Sequence, residues 1–81
     1  MYLINMSGRT VVPFVNKVEI VKCESEGDYV IKCGDIDMVY SSYTNIHRVM
    51  ERFIRACDRG ANVFDFGRAL GQIVLEQEEE S

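Results

Sequence analysis

The stretch from Thr44 to Gly60, TNIHRVMERFIRACDRG, constrains the fold more than any other part of the chain. Ile46, Val49, Met50, Phe53, Ile54 and Cys57 fall at offsets 0, 3, 4, 7, 8 and 11, the repeat of one face of a helix. Thr44 precedes the pattern as an N-cap, its hydroxyl able to accept from a first-turn N–H that lacks an intrahelical partner. Gly60 follows where a left-handed C′ residue is wanted, with Arg59 beside it to complement the helix dipole. Some fifteen helical residues rise about 22 Å at ~1.5 Å each, enough to cross one face of a small sheet. Cys57, on the apolar face, is expected in the core.

That sheet is expected before the helix. Tyr2–Met6, Thr10–Phe14, Lys17–Glu24, Tyr29–Cys33 and Ile36–Tyr40 are short runs rich in β-branched and aromatic residues. Turn residues separate them: Ser7-Gly8-Arg9, a break at Asn16, Ser25-Glu26-Gly27-Asp28, and Gly34-Asp35, where glycine leads as a type II′ turn prefers. Pro13 lacks an N–H and belongs at a strand edge or end. Connections this short favour an antiparallel meander. After Gly60, Asn62–Phe66 reads as a sixth extended segment with Phe64 and Phe66 on one face. Residues 67–75 fit either a short helix capped by Asp65 or a strand over Ile73-Val74-Leu75, and Gly71 weakens the helical reading by up to ~1 kcal/mol. The expected fold is α+β: an antiparallel meander of five or six strands with one amphipathic helix across one face.

Eighty-one residues allow one domain, expected over 1–75, with 76–81 as a disordered acidic tail. The formal charge is −4, but four of the thirteen acids lie in that tail, leaving nine acids against nine bases in 1–75. A neutral body argues neither for a DNA mimic nor for a basic nucleic-acid binder. No run approaches the ~18 apolar residues of a membrane span and no signal peptide is expected. Three cysteines, an odd number without tight spacing, agree with a cytoplasmic setting.

Arg48, Arg52, Arg55 and Arg59 are spaced 4, 3 and 4. At ~100° per residue they span about 60° of arc on the side opposite Phe53. Such a stripe can clamp carboxylates or phosphates. It can equally be a solvated face in which Glu51 and Asp58 screen Arg55, and on that reading Arg52→Ala is nearly silent for stability. The stripe lacks the interleaved aromatics of a single-strand binder. The acidic tail from Glu76 to Ser81, with Glu78, Glu79 and Glu80, is the second candidate contact, a solvated terminus or an intermolecular or intramolecular ligand for the arginine stripe.

Cys23, Cys33, Cys57 and His47 are the soft-ligand residues, and no pair has the spacing of a zinc knuckle. Asp65-Phe66-Gly67 spells the magnesium-binding triplet of protein kinases, but the chain has no glycine-rich phosphate loop or HRD loop to go with it. No catalytic residue, cofactor or metal site is therefore expected, and the chain reads as a non-enzyme.

The order Ile4-Asn5, Ser7-Gly8, Val11-Val12-Pro13-Phe14-Val15-Asn16, Tyr40-Ser41-Ser42-Tyr43 leading to Arg48-Val49-Met50, then Asn62-Val63-Phe64-Asp65-Phe66, covers residues 2–66. It resembles small, largely uncharacterised proteins encoded by phages and mobile elements of Gram-positive bacteria. In these a strand meander and a tyrosine precede one helix, and a closing strand follows. Some small phage proteins of this size inhibit host defence systems, CRISPR nucleases among them. The resemblance implies an accessory protein of the bacterial host cytoplasm that acts by binding a macromolecule, a protein before a nucleic acid. The alternative is a small regulatory or nucleic-acid-binding domain using the arginine stripe.

Overall fold

The computed structural model describes residues 1–14, 17–24 and 27–80. The expected break at Asn16 and the first two turn residues, Ser25 and Glu26, lie outside the described residues, as does Ser81. The α+β class holds, with six strands. They divide, however, into two three-stranded sheets, and there are two helices.

The first sheet contains β1 (Tyr2–Ile4), β2 (Val11–Pro13) and β6 (Val63–Asp65) in the order β2-β1-β6. Asn5 ties the β1–β2 turn, its side chain accepting from Ser7 Oγ at 2.7 Å and from the Thr10 N–H at 3.3 Å. Pro13 ends an edge strand, where its missing donor costs nothing. β6 runs parallel to β1, with Tyr2 opposite Val63 and Leu3 opposite Phe64. This corrects the all-antiparallel meander: the helix between β5 and β6 provides the crossover that a parallel neighbour requires.

The second sheet is the local meander, β3 (Val18–Lys22), β4 (Asp28–Cys33) and β5 (Ile36–Ser42). Gly34 takes φ +61° in the two-residue turn, the left-handed value a type II′ turn needs at its first position. Ile31 faces Val39 while Lys32 faces Asp37, so Met38 is the extra residue of a bulge. Its carbonyl accepts from the Met6 N–H at 2.7 Å, joining the two sheets.

α1 (Tyr43–Asp58) is capped two residues before the expected position. Ser42 is the N-cap, its Oγ accepting from the Asn45 N–H at 3.4 Å, and Thr44 lies inside the first turn. The far end closes as a Schellman motif: Ala61 N–H donates to Ala56 C=O, Gly60 N–H donates to Cys57 C=O, and Gly60 takes φ +70°. Ile46, Val49, Phe53 and Ala56 are buried. Ile54 and Cys57, expected inside, are exposed.

The buried face turns toward Ala56 because α2 (Phe66–Glu80) packs on that flank, antiparallel to α1. Asp65 caps α2 as expected, its Oδ1 accepting from the Arg68 N–H at 3.0 Å. Residues 67–75 are thus helical, and the helix continues through the stretch expected to fray, to Glu80. Leu3, Ile31, Val39, Ile46, Phe53, Phe66 and Ile73, drawn from both sheets and both helices, share one core.

Candidate functional site

The antiparallel helix pair divides the four-arginine stripe. Toward the C-terminal end of α2, Glu76 takes two of them, at 2.6 Å from Arg52 and 3.5 Å from Arg48. Gln72 accepts from Arg52 at 3.1 Å, and Gln77 donates to Asn45 at 2.6 Å. The stripe therefore faces solvent only in part. Half of it is the seam between α1 and α2.

Arg55 and Arg59 lie nearer the α1 C-terminus, where the helices border a groove of about 640 Å³. Arg68, in the first turn of α2, joins them there, and the residues of β6 form the floor. All three arginines are exposed, and none has an acidic partner among the described residues. Asp65 contributes one negative charge to the floor. With Arg52 already engaged, the remaining groups leave an excess of about two positive charges. The floor is also apolar in part: Val63 is exposed, and Phe64 stands edge-on to Phe53 and Phe66, with centroids at 5.4 and 4.9 Å. Guanidiniums bordering a partly apolar floor can bind carboxylates or phosphates by paired N–H···O bonds.

Glu78 and Glu79 sit on the opposite end of α2, exposed, and Glu80 ends the helix. Glu79 is about 16 Å from Arg68 along the helix axis at ~1.5 Å per residue. The acidic end and the arginine groove are separate features within one molecule. Arg68 escaped the sequence reading because its place beside Arg55 and Arg59 depends on how α2 docks. The available signal was Asp65 as a cap, which puts Arg68 in a first turn.

Cys23 and Cys33 are half-buried and Cys57 is exposed, all with free thiols. No group of His, Cys, Asp and Glu among the described residues could hold a metal ion. No described helix is long and apolar enough to cross a membrane. No protein-family model, curated protein or solved structure matches the chain.

Proposed function

We propose that the chain is a binding module rather than an enzyme, and that it holds an acidic segment of a protein partner in the groove of Arg55, Arg59 and Arg68. One observation carries this reading: three guanidiniums, none ion-paired among the described residues, border one groove with a single carboxylate, Asp65, in a chain of net charge −4. In the phage-type setting that the sequence suggests, the partner is a host defence complex such as a CRISPR nuclease, and occupancy of its acidic surface inhibits it.

A protein ligand suits the groove better than a nucleic acid. Phe64, half-buried against Phe53 and Phe66, is the one aromatic among the described lining residues, so the interleaved rings of a single-strand binder are not there. Beyond the groove, Asp58 and Glu51 on α1 and Glu79 on α2 would repel a continuing phosphate backbone.

The test is capture from host lysate by the wild type and by the triple reversal of Arg55, Arg59 and Arg68 to Glu. Capture of a discrete protein should be lost on reversal while far-UV ellipticity is unchanged. Undiminished capture by the variant removes the groove from the function. Retention of nucleic acid alone, with a steep salt dependence abolished by reversal, replaces this reading with the nucleic-acid one.

A further inference from the structure

The floor of the groove is a strand edge. In the order β2-β1-β6, no strand among the described residues pairs with the outer side of β6. The Tyr2 N–H donates to the Asn62 carbonyl at 2.8 Å, so Asn62, and two residues on Phe64, turn their peptide groups toward β1. Val63, between them, turns its N–H and C=O outward, along the side where the groove lies. We propose, on the basis of the arginine-groove reading, that the bound acidic segment is an extended strand added antiparallel to β6. Its central residue exchanges two backbone hydrogen bonds with Val63.

This mode dictates the ligand's pattern. A residue directly opposite Val63 shares the outer face of the sheet, beside Val63 and its cross-strand neighbour Tyr2, both more than half exposed. That position takes an apolar side chain. The residues before and after it turn to the inner face, where Arg55, Arg59 and Arg68 border the groove, and these take carboxylates. The recognised element is acid–apolar–acid in extended form, with main-chain bonds supplying affinity and alternate side chains supplying choice. A second copy of the chain does not fit this edge, since β6 against β6 would bring two arginine clusters together.

The probe is the capped pentapeptide Gly-Glu-Val-Glu-Gly, titrated into the full chain at low salt and followed by amide NMR. Binding should shift the Val63 amide and slow its hydrogen exchange. N-methylation at the peptide's valine should weaken binding at least fivefold, whereas N-methylation at either glutamate, whose N–H faces away from β6, should leave it within twofold. Exchanging Val with the first Glu, at constant composition, should also weaken it at least fivefold. Binding that is lost in Arg55→Glu/Arg68→Glu but indifferent to methylation at the valine overturns strand addition and leaves the groove reading standing. No binding at millimolar peptide, or binding unaffected by the arginine reversals, overturns both.

Discussion

Phe53 is the side chain on which the interior converges. Its ring lies 5.4 Å from Phe14, 5.4 Å from Phe64 and 5.6 Å from Phe66, linking α1 to both of its neighbours in the closing segment. Phe53→Ala should cost about 3–5 kcal/mol, from lost transfer energy plus the cavity left behind. Thermal melting checks this, and a variant melting within a few degrees of wild type would place Phe53 outside the core. The two glycines of α2 should respond to alanine with opposite signs. A Cβ on Gly67 would lie 2.8 Å from the Met6 carbonyl oxygen and 3.0 Å from its Cα, both backbone atoms that cannot swing aside. Gly71 has nothing within 4 Å. Gly71→Ala should stabilise by up to ~1 kcal/mol through helix propensity. Gly67→Ala should lose more than that gain, about 1 kcal/mol net, because overpacking costs ~1–3 kcal/mol. Equal denaturation midpoints for the two variants would mean that α2 does not press on the turn after β1. Of these residues, Phe53 was readable in the sequence by its place in the helical repeat. Gly67 was not, since its constraint comes from Met6, in the turn after β1 and about sixty positions away in the chain.

At the scale of elements, periodicity identified α1 and turn chemistry identified its Gly60 terminus, both being local properties. The orientation of α1 about its axis was not local. Ile54 and Cys57 obey the apolar repeat, yet Ala56 and the stem side of Arg52 are covered in their place because α2 packs there. The acidic run had two readings, a solvated terminus or an intramolecular ligand for the arginine stripe, and in a helix antiparallel to that stripe Glu76 follows the second, meeting Arg52 and Arg48. Arg52→Ala is accordingly no longer expected to be silent. The pair is partly exposed, with side chains 30% and 43% accessible, so its worth lies within the ~0.2–1 kcal/mol of surface ion pairs, with the Gln72 bond adding to it. Arg52→Ala and Glu76→Ala should each lower the melting temperature by a few degrees, and the double variant by less than their sum. Strict additivity in that double-mutant cycle would mean that the two side chains do not interact. Arg55→Ala, which removes no ion pair among the described residues, should leave the melting temperature unchanged while weakening partner capture.

For the whole molecule, the three antiparallel strands β3, β4 and β5 followed from short turns, whereas the other sheet depends on β6 returning beside β1 after an intervening helix. No local signal encodes that parallel pairing, nor the bulge that turns the Met38 carbonyl toward Met6. The arginine groove exists only once β6 and α2 have docked, which is why half of it was readable as a spacing on α1 and the other half was not. The same dependence makes the fold cooperative. Leu3 from the first sheet, Ile31 and Val39 from the second, and Phe53, Phe66 and Ile73 from the helices occupy one continuous interior, and none of these elements buries its apolar face alone. Guanidinium unfolding should therefore give coincident transitions by far-UV ellipticity, which follows the helices, and by tyrosine fluorescence, to which the edge-to-face Tyr29–Tyr43 pair at 5.2 Å between β4 and α1 contributes. Leu3→Ala, a change in the first sheet alone, should shift both midpoints together by the equivalent of about 2–5 kcal/mol. If the tyrosine signal instead kept its wild-type midpoint while the ellipticity moved, β3, β4 and β5 with α1 would be folding independently of β1 and β6. The groove could then be lost without unfolding the rest, and partner capture by Leu3→Ala at a temperature where the tyrosine signal is still native would measure that loss directly.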